Sequence, residues 1–98
     1  MSPPLYTISG FLYSIVEEFF VQELYIRAAS FADIREISEL AAAEGFRILI
    51  SDGYRTVNAK SLMSIFSLTV DRPLLLQLSC SESECEAFRR KAARFLAK

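Results

Sequence analysis

Runs of alternating apolar residues punctuate this chain at three places, with helical spacing between them, and that order limits the folds open to it. Residues 22–28 put Leu24, Ile26 and Ala28 on one side and Glu23, Tyr25 and Arg27 on the other. This is the pattern of a half-buried strand. Residues 46–51 alternate likewise, with Phe46, Ile48 and Ile50 opposite Arg47, Leu49 and Ser51. Pro73 introduces a third run, in which Leu74, Leu76, Leu78 and Cys80 share a side. After the first strand, Ser30 and Asp33 approximate a capping box. Ile34, Ile37, Leu40 and Ala41 then recur at helical spacing and Gly45 is a stop signal, predicting a helix from about Phe31 to Glu44.

Asp52-Gly53 predicts a tight two-residue hairpin, because both turn positions of that type favour positive φ. The expected return strand is Tyr54 to Val57, pairing Ile50 with Arg55 and Ile48 with Val57. A short helix follows, capped by Asn58 or Ser61, with Leu62, Ile65 and Phe66 turned inward. Ser81 and Glu84 fit a capping box for a last helix whose buried stripe is Cys85, Phe88, Ala92, Phe95 and Leu96. Its acids come early and its bases late, which suits the helix dipole. From Gln22 onward the order is β-α-β-β-α-β-α, an α+β arrangement that buries one sheet face under helices.

The chain has 98 residues, enough for one domain, and 52% of them are hydrophobic, enough for a core. Its 12 acids and 11 bases give no concentrated basic patch, so no nucleic-acid partner is expected. It has two cysteines, Cys80 and Cys85, and no histidine, which argues against a zinc site or other metal centre. A Cys80–Cys85 disulfide is conceivable, but free buried thiols are the favoured expectation. The longest uncharged run, Met1 to Val16, is broken by Pro3, Pro4 and Gly10. It falls short of the roughly 20 apolar residues of a membrane span and lacks a basic start, so cytoplasm is the default. With no nucleophile–base pair and no glycine-rich phosphate loop, neither an enzyme active site nor a cofactor is expected.

Residues 57–68, Val-Asn-Ala-Lys-Ser-Leu-Met-Ser-Ile-Phe-Ser-Leu, resemble the regulatory-serine segment of HPr. HPr is the small phosphocarrier of the bacterial sugar phosphotransferase system. In that family a strand ends in Val-Asn-Ala-Lys-Ser or a close variant, and the serine opens a short helix rich in Met, Leu and Ile. The resemblance covers about Gln22 to Ala97, is sharp only at residues 57–70, and otherwise rests on element order. It implies an open-faced sandwich, a four-stranded antiparallel sheet with three helices on one face. It also implies a division into an HPr-like domain, residues 21–98, and an N-terminal extension, residues 1–20, outside the family plan.

HPr carries its phosphoryl group on a histidine followed by Ala-Arg-Pro. The matching stretch here, Ala28 to Asp33, has none of these except alanine and is shorter. The phosphocarrier chemistry is therefore absent. Ser30, the nearest hydroxyl, reads as a helix N-cap.

Ser61 matches the serine that a dedicated kinase phosphorylates in HPr, where the product acts through a transcription factor. A histidine-lacking branch of the family, the Crh type, keeps only that regulatory role. Two alternatives stand for Ser61, a plain helix cap and a phosphorylation site beside Lys60. Lys60, Leu62, Met63 and Phe66 are the candidate partner contacts, with Met63 the exposed apolar one. Two family glycines appear here as Ser64 and Thr69.

The expected function is thus a non-catalytic, HPr-like regulatory or interaction protein whose partners are HPr kinase or a transcriptional regulator. A structural or homo-oligomeric module without phosphorylation is one alternative. A small-molecule binder using the outward sheet face is another. That face would carry Tyr25, Leu49, Tyr54 and Leu75 beside Arg27 and Gln77. Residues 1–20, a second copy or a partner could cover it.

Overall fold

The computed structural model describes residues 21–97. The expected N-terminal extension, residues 1–20, and its suggested place over the outward sheet face lie outside the described residues. The chain forms β1 (Val21–Ile26), α1 (Phe31–Ala42), β2 (Arg47–Ser51), β3 (Thr56–Asn58), α2 (Leu62–Ile65), β4 (Leu74–Ser79) and α3 (Glu82–Lys91), then a 3₁₀ turn at Ala93–Phe95. The four strands make one antiparallel sheet in the order β1-β4-β2-β3. This is the α+β, open-faced layout anticipated from the element order and the resemblance.

The register follows from the alternation. Leu24, Ile26, Ile48, Ile50, Leu74, Leu76 and Leu78 are all buried against the helices. Ile34, Ile37 and Ala41 of α1, Ile65 of α2 and Cys85, Phe88, Ala92 and Phe95 at the C-terminal end close the core from above. A one-residue slip would exchange the two faces, so the register is strongly specified. Leu40 and Leu62 sit at the margin, half-buried and packed on the core. Ala59 is fully buried, and its N–H donates to the Ile48 carbonyl, extending the β2–β3 pairing by one residue.

Several boundaries differ from expectation. α1 ends at Ala42, two residues early. Positive φ occurs at Gly53, whereas Gly45 keeps an ordinary backbone and is not a left-handed cap. The Asp33 carboxylate bonds the Ala29 N–H (2.8 Å), so the box around Ser30 reaches one residue further upstream than a standard one. The last helix stops at Lys91, and the chain turns through Ala93–Phe95 until Leu96 bridges Ile26. Arg27 N–H donates to the Phe95 carbonyl and Ala97 N–H to the Tyr25 carbonyl, so the C-terminal residues line the free side of β1. By contrast, the Ser81–Glu84 capping box forms as the sequence indicates.

The β2–β3 hairpin is the main correction. Ile50 pairs with Val57 and Ser51 with Thr56, so the return strand sits two residues along from the expected register and spans Thr56–Asn58. The cause is Asp52. It is only 7% exposed, and its carboxylate accepts from Tyr54 N–H and Arg55 N–H (both 2.9 Å) and from Thr69 N–H (2.8 Å). The carboxylate thereby takes over the turn, Asp52 N–H bonds the Arg55 carbonyl (3.3 Å), and Gly53 supplies the positive φ, 97°. These amides, the Thr69 N–H foremost, hold the Asp52 carboxyl down at about 2.

Cys80 and Cys85 are free and buried. They occupy the positions just before the N-cap and four residues into α3, where two apolar side chains pack across the cap as a hydrophobic staple. Burial pushes the Cys80 thiol up to about 12, and the Cys85 thiol is also raised by burial. Both therefore act as small apolar groups rather than nucleophiles.

Candidate functional site

The segment that resembles the HPr regulatory site forms a loop and a single helical turn beside α1. Asn58 ends β3, and its side-chain oxygen accepts from Lys60 N–H (2.9 Å), turning the chain. Ser61 is the N-cap of α2: its backbone is extended, and its hydroxyl accepts from Ser64 N–H (3.3 Å). Of the two cap candidates, Ser61 therefore does the capping and Asn58 makes the turn before it.

Lys60 is placed differently from a phosphate-seeking cation. Its Nζ donates to the Glu44 carbonyl (2.8 Å), just beyond the end of α1. It therefore ties the loop to the carbonyl end of that helix, where a cation is favoured. Leu62 lies half-buried against the core. Met63 is 78% exposed.

Phe66, expected to point inward, is 47% exposed. The reason is the length of α2. The helix spans only Leu62–Ile65, so Ile65 fills the inward position and Phe66, its C-cap, leaves the core. Its ring stacks instead on Phe31 at the start of α1, with centroids 5.3 Å apart and planes 19° from parallel. Phe31 is itself 57% exposed. Such pairs contribute about 0.5–1.5 kcal/mol beyond their buried area.

Phe31 and Phe66 border a cavity of about 430 Å³ lined also by Ser30, Ile34, Leu68 and Val70, with Asp71 at its edge. The loop at Ala28–Ser30 forms one wall of it. Sequence reasoning named Phe66 and Met63 but missed Phe31. Helical spacing hid it: Phe31 lies three residues before buried Ile34, beside the inward stripe of α1, yet it stays exposed at the helix start. The Ser30 hydroxyl caps α1 by accepting from Asp33 N–H (3.3 Å).

Among the described residues, no group of three or more Cys, Asp and Glu side chains is placed to hold a metal ion. No helix among them is long and apolar enough to cross a membrane. Compared with known protein families and with curated proteins, the chain matches none.

Proposed function

We propose that the protein is a non-catalytic, HPr-like interaction module whose working surface is the apolar ledge beside Ser61. The observation that carries this reading is the Phe31–Phe66 stack with Met63 beside it: three large apolar side chains held out to solvent around one capped serine. Exposed apolar clusters of this kind are more often contact surfaces than solvated ones. The cavity bordered by the two rings would accept an apolar side chain of a protein partner. Phosphorylation of Ser61 would add close to two negative charges next to this ledge and replace the hydroxyl that accepts from Ser64 N–H. It would also offer Lys60 Nζ a stronger partner than the Glu44 carbonyl. Modification and contact surface are thereby joined in one place. The partners this reading implies are an HPr kinase and a protein that reads the modified surface.

The test has two arms. Treatment with HPr kinase and ATP should add one phosphate to the peptide containing Lys60 to Phe66, and Ser61→Ala should abolish it. Label that survives Ser61→Ala, or no label at all, would overturn the regulatory reading in favour of a structural one. In the second arm, the upstream phosphotransferase with phosphoenolpyruvate should leave the chain unlabelled, since it has no imidazole to accept the group.

A further inference from the structure

A second cavity adjoins the one between the aromatic rings. It measures about 370 Å³, and Ala28, Ala29, Val70 and Asp71 line both. The two thus adjoin as one cleft at the end of the sheet where β1 runs on towards α1. Each lies within the roughly 300–1,000 Å³ of small-ligand sites. The two ends of the cleft differ in chemistry. At one end the lining is core: Ile34 is 4% exposed and Leu68 7%, and the stacked rings of Phe31 and Phe66 border the opening. At the other end stand Arg27, Asp33 and Arg94.

Much of the charge around this cleft is already engaged. Asp33 accepts from Ala29 N–H (2.8 Å) and lies 3.6 Å from Arg94, which donates to Glu36 Oε1 (2.6 Å). Two groups are left over. Arg27 is exposed and without an ion pair among the described residues. Its N–H is fixed to the Phe95 carbonyl (2.7 Å), which holds its backbone at the rim. Asp71, at the junction of the two cavities, meets Arg72 at 3.9 Å between exposed side chains, which is weak pairing. The Arg72 guanidinium also lies over the Tyr54 ring, 5.4 Å from the centroid. One apolar bay, one unpaired cation and one weakly paired anion therefore share a single cleft.

We propose that this cleft binds a free α-amino acid with a large apolar side chain, its carboxylate on Arg27, its ammonium on Asp71 and its side chain in the bay lined by Phe31, Ile34, Phe66 and Leu68. A guanidinium recognises a carboxylate through paired N–H donors. A simple carboxylic acid would face the like charge of Asp71, and a simple amine that of Arg27, whereas a zwitterion satisfies both. The backbone of an internal peptide segment carries neither charge, so a free amino acid suits the cleft better than a stretch of chain. Glycine would leave the bay empty and forgo the apolar burial that supplies most of the affinity. Binding needs neither kinase nor partner, so it stands or falls apart from the Ser61 reading. A bound amino acid would also compete with a partner's side chain for the same bay; that consequence, unlike the binding itself, rests on the interaction reading.

The experiment titrates L-phenylalanine and L-leucine into the full chain by isothermal calorimetry, with no kinase or ATP present. Saturable binding of both is expected, and none of glycine. N-acetyl-L-phenylalanine lacks the ammonium and L-phenylalaninamide lacks the carboxylate. Each should bind about fivefold or more weakly than L-phenylalanine, the scale of one lost charge-assisted contact. Arg27→Gln and Asp71→Asn should weaken L-phenylalanine by a similar factor. Asp71→Asn should in addition shrink the difference between L-phenylalanine and its N-acetyl form, because the group that reads the ammonium is gone. Arg47→Gln lies in the row of Val21 and Ser79, at the opposite end of the sheet, and should change nothing. Circular dichroism melts confirm that each variant is folded. Absence of saturable binding of both amino acids would overturn the proposal. So would N-acetyl-L-phenylalanine and L-phenylalaninamide binding as tightly as L-phenylalanine, which would leave only an unselective apolar bay. Binding that Arg27→Gln and Asp71→Asn leave intact in folded protein, or that Arg47→Gln weakens as much, would overturn it equally.

Discussion

Asp52 is the residue on which most of the corner between β3 and α2 depends. One carboxylate serves Tyr54, Arg55 and Thr69 at once, joining a hairpin turn to a loop 17 residues away. Its carboxyl titrates at about 2, below the 3.8 of an unperturbed group. A depressed folded-state pKa means the ionised form favours the fold, so this contribution is fully present above about pH 4. It is lost progressively as pH falls from there through about 2. Asp52→Asn should lower the melting temperature at neutral pH and shrink the difference in melting temperature between pH 5 and pH 2.5. Thermal melts across that range check it; an unchanged acid slope in the variant would show that other carboxylates govern it. At the same scale the sequence was only half legible. Asp52-Gly53 announced a turn correctly, but the Thr69 N–H that decides which residues pair across it is non-local, and no dipeptide signal reports it.

At the scale of elements, α2 separates structural from functional side chains within one turn. Ile65 is fully buried while its neighbour Phe66 is turned out onto Phe31. Ile65→Ala should therefore cost about 2–5 kcal/mol, as buried truncations do. Phe66→Ala should cost about 1 kcal/mol, the scale of an exposed aromatic pair. Urea unfolding of both variants measures the difference, and equal losses would mean that Phe66 is held in the core after all. The long elements were readable because their periods are: β1, β2, β4 and α3 lie close to where alternation and the capping box put them. The short one was not, since four residues carry too little periodicity to say where the turn ends. For the candidate site, Ser61 and Met63 were legible from the motif. The Lys60 contact was not legible, because its bond to the Glu44 carbonyl exists only once α1 and the loop are side by side.

On the scale of the whole molecule, the buried core among the described residues runs from Leu24 to Phe95 and takes in all four strands. Since the four-stranded layout starts at Val21, a chain beginning there is expected to fold by itself, with one cooperative thermal transition and dispersed amide signals. A melt without a transition would instead make residues 1–20 integral. The two edges of the sheet are treated differently: β3 is a strand of three residues, and the upper part of β1 is lined by Phe95, Leu96 and Ala97. Short or covered edges of this kind resist pairing with other chains.

The central position of β4 also has a consequence for synthesis on the ribosome. β4 is the last strand to be made, yet both β1 and β2 find their partner in it, Val21 across from Ser79 and Arg47 across from the same residue. Until Leu74–Ser79 emerges, only the β2–β3 hairpin can form within the sheet, and Leu24 and Ile26 of β1 have no strand to pair with. The nascent chain therefore passes through a stage in which about three-quarters of its length is translated and two of the three strand pairings of the sheet are still unavailable. Loop closure over such separations slows folding, and a ribosome that pauses before β4 holds an exposed apolar strand pair that chaperones recognise.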